Sequence, residues 1–396
     1  MTAVTPGSTP ALDLEHGRVV VVGGGLAATR LCAVLRRKKF RGSITVLSAE
    51  EVAPYDRPPL SKQVLAGERD DAPLPFDTAK LDVDLRLGTR ATGLDTESRT
   101  VMVNAGSDEA DAIAYDALAI ATGAAPLRLP GDGPQLTLRT LDDSLALRER
   151  LVPGARVVVV GASWIGAEVA TAARAAGCVV SCVEFGAEPL AGVLGDEVGA
   201  ATRAWWEGID LRTSTGVTSV EADGVHLDDG TVLPADVVVT GIGVRPDLAW
   251  LSGSGLELDR GVLTDTRCRT NVPGVVALGD VAQRWSAHSD SHRLVEHWDE
   301  AAMVATAAAT SLLDWSTGPE HDPVPYFWSD QFGRKLQYVG VHAPDDVLAI
   351  DKAEDGSLLR ATWSRDGVLT AWLGVDLSKE LIPARTAIGG PVAALG

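Results

Sequence analysis

The amino-acid sequence predicts an α/β protein with two Rossmann-like dinucleotide-binding domains and a small C-terminal α+β domain. Near the N-terminus a valine-rich strand, a glycine-rich turn and a helix follow one another, and the same order returns in the middle of the chain. From Tyr326 onwards the texture changes to short stretches that alternate between apolar and polar residues, as antiparallel strands do. A chain of 396 residues is long enough for two or three domains with sizeable cores.

The first copy begins with four consecutive valines, 19–22, which suit a strand buried in a parallel sheet. The motif Gly23–Ala28 then fits the dinucleotide fingerprint, in which small residues allow a tight turn, the approach of a pyrophosphate and close packing of the helix. A second strand, Ile44–Leu47, precedes Glu50, which lies about where a carboxylate meets a ribose hydroxyl. A glycine-rich turn alone also fits an ordinary tight corner, but this context favours nucleotide binding.

The second copy runs from the strand 156–160 through the turn 161–166 into a helix predicted over Ala167–Ala176. An internal duplication of this unit is far more specific than either copy alone. Ser163 stands where the fingerprint has its second glycine. Its Cβ narrows the approach of a pyrophosphate, while its hydroxyl can cap the helix. We therefore expect weaker binding or a slightly withdrawn backbone at this turn.

The next predicted strand, Val179–Val183, ends in Glu184. A carboxylate at this place accepts hydrogen bonds from a free 2′-hydroxyl and repels a 2′-phosphate. Residues 185–187 contain no arginine that could receive such a phosphate. The pattern predicts a preference for NADH over NADPH, with a solvated acid at a strand end as the alternative.

Composition excludes several function classes. With 35 basic and 54 acidic side chains the formal net charge is −19, which disfavours nucleic acid as a partner. Residues 1–16 have neither the basic start nor the apolar core of a signal peptide, and we expect a flexible tail there. The longest apolar segment, Ala301–Leu313, is too short and too interrupted by threonine to span a membrane, so a buried helix is expected.

Cysteines and histidines give no sign of a metal site. Cys32, Cys178, Cys182 and Cys268 form no Cys-x-x-Cys pair, and we expect four buried thiols in a reducing cytoplasm. The histidines at positions 288, 292 and 297 fall within ten residues, with serine and aspartate between them and no cysteine nearby. This pattern indicates a polar loop rather than a set of metal ligands.

Further motifs complete the chain, and each has a bland interpretation when taken alone. They are the proline-rich loop Pro54–Lys62, Ala-Thr-Gly at 121–123 after a buried strand, Gly-Ile-Gly-Val-Arg-Pro at 241–246, Gly-Asp at 279–280 and Phe-Trp-Ser-Asp-Gln at 327–331. A hinge is expected at Gly131–Gly133 and Pro134.

Taken in this order, the motifs resemble the FAD-dependent, NADH-using ferredoxin reductases that serve cytochromes P450 and ring-hydroxylating oxygenases, the family of putidaredoxin reductase and biphenyl-dioxygenase ferredoxin reductase. The resemblance runs from about Arg18 to about Arg385. Its specific parts are Arg-Pro-Pro-Leu-Ser-Lys and Phe-Trp-Ser-Asp-Gln, because the glycine motifs alone also fit glutathione reductase and its relatives.

The resemblance implies a glutathione-reductase-like domain order. After the tail 1–16, an FAD-binding domain is expected over 17–125 and 246–322, interrupted by an NADH-binding domain over 126–245. The α+β domain then occupies 323–396.

It also implies the residues that contact FAD, which are Gly23, Gly25, Leu26, Ala27, Ala28, Glu50, Arg57, Lys62, Ala91, Ala121, Thr122, Gly123, Arg128, Gly279, Asp280, Glu296, His297, Trp298 and Trp328. Among them, Lys62 is expected near the flavin N5 edge and Asp280 at the ribityl chain. Trp298, at the start of a helix expected over Glu296–Leu313, presents its backbone to the ring, and Trp328 flanks the isoalloxazine.

The contacts implied for NADH are Gly161, Ser163, Trp164, Ile165, Gly166, Glu168, Glu184 and Gly243. Trp164 is equally compatible with plain core packing. The catalytic candidates are Lys62, Glu168 and Trp328. We hypothesise that Lys62 and Glu168 form an ion pair, in which the lysine supplies positive charge and the carboxylate fixes both the ammonium and the nicotinamide carboxamide.

The expected chemistry gives an independent reason for a flavin. NADH gives up two electrons together, whereas an iron–sulfur protein accepts one at a time, and a flavin can take the pair and release it singly. Residues Arg57–Leu65 contain no cysteine, so we expect electrons to pass from the flavin to a [2Fe–2S] ferredoxin, or a rubredoxin, and indirectly to a P450 or oxygenase. The alternatives are an NADH oxidase or diaphorase, and a redox sensor like apoptosis-inducing factor.

The net charge conflicts with an acidic ferredoxin as partner, because like charges repel at long range. Docking should then use local basic side chains, and the candidates are Arg57, Lys62, Arg69, Arg334 and Lys335. Scattered surface charges are the alternative. The sequence leaves monomer and dimer equally open.

Overall fold

A computed structural model describes residues 11–74, 78–104 and 111–392 of the chain. The chain forms two compact units. Unit 1 comprises Met1–Asp56, Pro73–Ala125 and Arg245–Pro323. Unit 2 comprises Arg57–Ala72, Pro126–Val244 and Val324–Gly396. The C-terminal residues and the short segment after Asp56 therefore cluster with the central part of the chain.

The strands, numbered in chain order, are β1 (Arg18–Val22), β2 (Ser43–Leu47), β3 (Asp84–Arg86), β4 (Arg90–Asp95), β5 (Thr100–Asn104), β6 (Asp111–Ala114), β7 (Ala117–Ile120), β8 (Ala125–Pro126), β9 (Arg156–Val160), β10 (Val179–Val183), β11 (Asp210–Arg212), β12 (Val217–Glu221), β13 (Gly224–Leu227), β14 (Val232–Leu233), β15 (Val237–Thr240), β16 (Val244–Arg245), β17 (Val262–Thr264), β18 (Val275–Ala277), β19 (Ala282–Ser286), β20 (Ser291–Leu294), β21 (Tyr326–Gln331), β22 (Arg334–Gly340), β23 (Val347–Lys352), β24 (Leu358–Arg365) and β25 (Val368–Val375).

The α-helices are α1 (Leu26–Arg37), α2 (Leu141–Arg148), α3 (Trp164–Ala175), α4 (Ala191–Leu194), α5 (Asp196–Thr202), α6 (Trp298–Met303), α7 (Ala305–Leu313) and α8 (Leu381–Ala387). Single turns of 3-10 helix lie at Pro58–Ser61, Thr78–Leu81, Arg203–Trp206, Ala249–Leu251 and Gly279–Val281.

Unit 1 is organised around a parallel sheet in the order β18-β7-β1-β2-β3. The valines of β1 are buried because β1 lies in the middle of this sheet, between β7 and β2. Helices α1 and α7 supply apolar side chains to the core on one face, as expected for a Rossmann-like unit. Two smaller sheets complete the unit, β4-β5-β6 and β17-β19-β20.

Unit 2 contains a second parallel sheet, in the order β11-β10-β9-β15, and a small antiparallel sheet β12-β13-β14. The C-terminal residues form an antiparallel sheet β21-β22-β25-β24-β23, followed by α8. The predicted two Rossmann-like domains and C-terminal α+β domain are thus confirmed as the fold class. In the C-terminal sheet, β23, β24 and β25 lie among the alternating stretches for which antiparallel strands are predicted.

The internal duplication extends to individual hydrogen bonds. Arg18 at the start of β1 pairs with Asp116, and Arg156 at the start of β9 pairs with Asp236 in the same way. The N–H group of Gly23 donates to the last residue of β2 at 2.8 Å, and that of Gly161 donates to the last residue of β10 at the same distance. Each guanidinium lowers the pKa of its partner carboxyl, to about 2 for Asp236.

Several predicted boundaries are wrong. Helix α3 begins at Trp164 rather than Ala167, because the extended backbone of Ser163 ends the turn and the helix starts directly behind it. The single helix expected over Glu296–Leu313 begins at Trp298 and is interrupted at Val304, which separates α6 from α7.

The structure corrects part of the predictions for the N-terminal tail and for the cysteine thiols. Residues 1–10 lie outside the described part of the chain, and Leu12 is attached to unit 1 by a hydrogen bond from its N–H to Leu313 O. Three cysteines are buried, and burial raises the pKa of Cys32 and Cys268 to about 12. The prediction of burial is wrong for Cys178, which is half-buried because it precedes β10 rather than lying inside it. All four thiols are free.

Candidate functional site

The glycine-rich turn of unit 1 requires its glycines for different reasons. Gly23 has φ +113°, and a Cβ at this position would lie 2.1 Å from the carbonyl oxygen of Ala121. Only glycine fits such a backbone and such a close approach. The turn therefore lies directly against the Ala-Thr-Gly segment, whose Gly123 also has a positive φ of +71°.

Gly25 meets the opposite condition, since a Cβ there would find no protein atom within 4 Å. It caps α1 with extended backbone, and the first intrahelical bond runs from Thr29 N to Gly25 O. The N–H groups of Leu26, Ala27 and Ala28 precede that bond and lie at the positive end of the helix dipole. Bare backbone facing open space at a helix N-terminus fits the pyrophosphate of a dinucleotide.

Four other predicted FAD residues also lie in unit 1. Gly279, with φ +72°, approaches α1 so closely that a Cβ would lie 3.1 Å from the Ala27 Cβ, which brings the Gly-Asp motif with Asp280 to the helix N-terminus. Glu50 accepts a hydrogen bond from the Tyr55 hydroxyl at 2.5 Å, which holds the carboxylate behind β2. Ala91 lies in β4 opposite Val103, half-buried in the smaller sheet.

The helix that carries Trp298 is anchored by a contact that the sequence did not suggest. The indole Nε1 of Trp298 donates to Asp56 Oδ1 at 2.6 Å, so Asp56 is bound to the first residue of α6 within unit 1. His297 caps this helix from extended backbone, next to Glu296. Burial lowers the pKa of His297 to about 4.

The turn of unit 2 repeats this arrangement. Gly161 has φ +98° and lies against Gly241, where a Cβ would come within 2.5 Å of the carbonyl oxygen. Gly166 packs against the turn so tightly that a Cβ would lie 1.8 Å from Gly161 O. Gly243, with φ +108°, belongs to the loop after β15. The fingerprint glycines are therefore fixed by backbone contacts.

Ser163 has almost the same backbone as its counterpart Gly25, with φ −87° and ψ −159° against φ −82° and ψ −167°. The expectation of a withdrawn backbone is therefore wrong at this turn. The expectation of a cap is also wrong, because the Ser163 side chain makes no capping hydrogen bond. What remains is an added Cβ and hydroxyl at the place where unit 1 has open space.

Glu184 follows β10 directly and is held next to the turn. Its two carboxylate oxygens accept hydrogen bonds from Ala162 N at 2.6 Å and from Gly186 N at 2.7 Å. The acid is therefore fixed at the carboxyl end of the parallel sheet, beside the fingerprint, which is where Rossmann-type folds bind the adenosine ribose.

The hypothesised ion pair is present in unit 2. Lys62 Nζ lies 2.9 Å from Glu168 Oε2, and the side chains are 14% and 3% exposed. The same oxygen also accepts a hydrogen bond from the Ser61 hydroxyl. The other carboxylate oxygen accepts from Ser329 Oγ at 2.6 Å and from Asp330 N at 3.1 Å. This carboxylate, on α3, is thus surrounded by four donors.

Sequence reasoning missed two of these donors. Ser61 lies in the Arg-Pro-Pro-Leu-Ser-Lys motif and Ser329 in the Phe-Trp-Ser-Asp-Gln motif, so the two most specific motifs of the chain meet at one buried carboxylate. The signal that could have identified these serines is that both motifs are specific to the resembled family, although neither motif is needed to form a local strand or turn. Buried charges need this many partners to be stable.

Aromatic side chains lie close to this cluster. Trp164, the first residue of α3, contacts Phe327 with ring centroids 4.6 Å apart, and Trp328 stacks on Tyr326 at 5.9 Å. Ile165, beside Trp164, is exposed. Core packing therefore accounts for part of the Trp164 surface, as the alternative interpretation expected.

The predicted docking residues all have local contacts within unit 2. Arg69 pairs with Asp71 at 2.9 Å and Lys335 with Asp330 at 3.0 Å. The guanidinium of Arg334 lies 5.3 Å from the Trp205 ring centroid. Arg57 donates to the backbone carbonyl of Arg139. Arg128, which is predicted to contact FAD rather than the ferredoxin, donates to the backbone carbonyl of Gln135.

Within the described ranges, no three His, Cys, Asp or Glu side chains are grouped so that they could hold a metal ion. No helix in those same ranges combines the length and the apolar character that crossing a membrane requires.

Comparisons with known proteins extend over nearly the whole chain. Residues 17–305 match the family described as pyridine nucleotide-disulphide oxidoreductase, and residues 326–393 match the reductase C-terminal domain. The chain is 34% identical to the biphenyl dioxygenase system ferredoxin–NAD(+) reductase component of Paraburkholderia xenovorans over 386 residues, 94% of this chain and 93% of that protein.

Solved structures of similar proteins also match the chain over nearly its whole length. The crystal structure of Fdr9 matches with a TM-score of 0.90 and 50% identity, over 96% of this chain and 99% of that one. Putidaredoxin reductase in its covalent complex with putidaredoxin matches with a TM-score of 0.86 and 28% identity, over 96% of each chain.

Proposed function

Because the chain belongs to the pyridine nucleotide-disulphide oxidoreductase family and carries its reductase C-terminal domain, we propose that it is an NADH-dependent, FAD-containing ferredoxin reductase. It passes electrons from NADH through the flavin to a [2Fe–2S] ferredoxin, which serves a cytochrome P450 or an oxygenase. When bound, FAD takes an electron pair from NADH and releases electrons one at a time. Relatives named as ferredoxin–NAD(+) reductases over nearly full length support this assignment.

One observation carries the proposal, the buried Lys62–Glu168 pair. The pair fixes the Lys62 ammonium in a place with little water, where its N–H groups can stabilise negative charge on a ring system. Glu168 fixes the ammonium, and the hydroxyls of Ser61 and Ser329 fix Glu168. Lys62 and Glu168, together with Trp328, are the residues that we assign to the reacting rings.

The two turns are assigned to the two dinucleotides. Unit 1 would hold FAD, with the pyrophosphate at the N-terminus of α1, Glu50 at the ribose and Asp280 at the ribityl chain. The central part of unit 2 would hold NADH through the turn 161–166 and Glu184. The open space at Gly25 supports the first assignment, and the fixed carboxylate of Glu184 supports the second.

We place the reaction in the cytoplasm. Four free thiols, none in a disulfide, suit a reducing compartment. The cysteine-free segment Arg57–Leu65 argues against a thiol-based NADH oxidase and against a disulfide reductase. The acidic chain also argues against a DNA-binding redox sensor.

The ferredoxin is proposed to dock near Arg57, Arg69, Arg334 and Lys335, four basic side chains on a chain whose formal net charge is −19. We predict that the KM for ferredoxin rises with ionic strength, because salt screens charge pairs at an interface. Steady-state kinetics from low to high salt test this, and a flat response would indicate an apolar contact instead.

The assay that tests the proposed function is NADH-driven cytochrome c reduction by the FAD-loaded protein, with and without a [2Fe–2S] ferredoxin. A strong increase on adding ferredoxin is expected. If ferredoxin has no effect while oxygen or a quinone consumes NADH directly, the protein is an oxidase or diaphorase. If NADH bleaches the flavin but no acceptor turns over, a redox-sensing role replaces the proposal.

A further inference from the structure

Phe185 is the most exposed large apolar side chain in the described part of the chain, at 83%. It follows Glu184 directly, behind the carboxyl end of β10. Single exposed apolar residues are common on protein surfaces and need no explanation by themselves. The position of this one, next to the acid assigned to the adenosine ribose, is the reason to ask what it binds.

The backbone around Phe185 is held on both sides. Before it, the N–H of Glu184 donates to Arg212 O at 2.8 Å and Glu184 O accepts from Thr215 N at 3.0 Å. After it, the N–H of Gly186 donates to Glu184 Oε1 at 2.7 Å, and Gly186 O accepts from Ser214 N at 2.7 Å. The aromatic ring is therefore presented to solvent from a fixed turn rather than from a loose loop.

Other exposed apolar side chains stand at the same edge of the sheet. Ile165 follows the end of β9 and Ile242 follows the end of β15, and each is 38% exposed. Since β10, β9 and β15 are parallel neighbours, their carboxyl ends lie at one edge. In open α/β sheets, ligands bind at that edge. Phe185 lies on the side of the edge that carries Glu184.

We infer that Phe185 is the stacking platform for the adenine base of NADH, an inference that rests on the proposed NADH site. A ribose whose hydroxyls bind Glu184 carries its base one bond further along the sugar, within reach of the next residue. Adenine presents a flat apolar face, and an aromatic ring on a fixed backbone meets it without losing much conformational freedom. The nicotinamide lies at the other end of the pyrophosphate and does not need this residue.

The test is a calorimetric titration of the FAD-loaded protein with ADP-ribose, which contains the adenosine half of NADH and cannot react. Stacking of a base on an aromatic side chain predicts that Phe185→Ala lowers ADP-ribose affinity by about 5- to 100-fold. Phe185→Tyr keeps the ring and should bind within about twofold of the wild type. Ile382→Ala is the matched control, because Ile382 is 76% exposed on α8 and has no assigned ligand.

The outcomes separate the inference from the proposal beneath it. If the wild type and Phe185→Ala bind ADP-ribose with equal affinity, the role of Phe185 is overturned and the NADH site is retained. Wild-type protein that does not bind ADP-ribose would overturn both. If Phe185→Ala keeps its affinity but changes the sedimentation coefficient, the ring belongs to a contact between two copies of the chain, which also overturns the inference.

Discussion

Removing the carboxylate of Glu168 is predicted to lower the free energy of unfolding much more than removing its ionic partner, Lys62. In Glu168→Ala, the Lys62 ammonium loses its counter-charge in a buried place, and the Ser61 hydroxyl, the Ser329 hydroxyl and Asp330 N lose their acceptor. In Lys62→Met, by contrast, the carboxylate keeps three donors. The two variants therefore test whether Glu168 is the structural centre of the cluster.

The magnitudes follow from burial. Glu168 is 3% exposed and Lys62 14%, so solvent screens the pair little. Breaking a buried pair and leaving one charge uncompensated costs about 3–5 kcal/mol, and we expect that loss for Glu168→Ala. Lys62→Met also leaves the carboxylate without its counter-ion, but three hydrogen-bond donors still stabilise that charge, so we expect a smaller loss of about 1.5–3 kcal/mol. Folded domains typically have a free energy of unfolding of about 5–15 kcal/mol, so the loss expected for Glu168→Ala is a large part of the total stability.

The assay is chemical denaturation of the FAD-loaded variants, from which the free energy of unfolding is obtained. Asp71→Ala is the control, because the Arg69–Asp71 pair has a similar distance of 2.9 Å but its carboxylate side chain is 75% exposed. A surface pair of this kind contributes about 0–1 kcal/mol. If Glu168→Ala unfolds within about 0.5 kcal/mol of Asp71→Ala, or no less stably than Lys62→Met, the reasoning from burial is refuted.

The remaining predictions concern the two turns and one histidine. Ser163→Gly should tighten ADP-ribose binding about 2- to 10-fold, because the backbone already matches that of Gly25 and only the Cβ and hydroxyl are removed; unchanged or weaker binding would mean that the hydroxyl contributes. Glu184→Ala should narrow the preference for NADH over NADPH by about 10- to 100-fold in kcat/KM, since the carboxylate no longer repels a 2′-phosphate; an unchanged ratio would remove Glu184 as the selector. The pKa of His297 is lowered to about 4 by burial, so the unfolded chain binds a proton more readily and stability falls as the pH drops from about 6.5 to about 4; His297→Gln should show a smaller loss over that interval, and parallel unfolding curves would contradict this.

The sequence predicted those parts of the fold that local patterns determine. Four valines before a glycine turn specify a buried strand wherever they occur, and both copies of that pattern fold alike, down to the pairs Arg18–Asp116 and Arg156–Asp236. Element boundaries were less certain, because the start of α3 depends on the backbone of Ser163 rather than on hydrophobic spacing.

Contacts between distant segments were beyond the sequence alone. Ser61 and Ser329 meet Glu168 although they are far apart along the chain, and Trp298 finds Asp56 in the same manner. None of these three contacts leaves a periodic signal in the sequence. The resemblance to a known family identified the segments that matter, and the structure supplied the reason that those segments are specific.

Electrons are expected to leave NADH as a pair and to reach the ferredoxin singly. The most direct measurement is an anaerobic titration in which the FAD-loaded protein, an excess of oxidised [2Fe–2S] ferredoxin and a limiting amount of NADH are mixed, and reduced ferredoxin is counted from its absorbance. About two ferredoxins should be reduced for each NADH consumed, and NADPH should be a far slower donor. Ferredoxin that stays oxidised, with NADH consumed only after oxygen is admitted, would contradict this expectation.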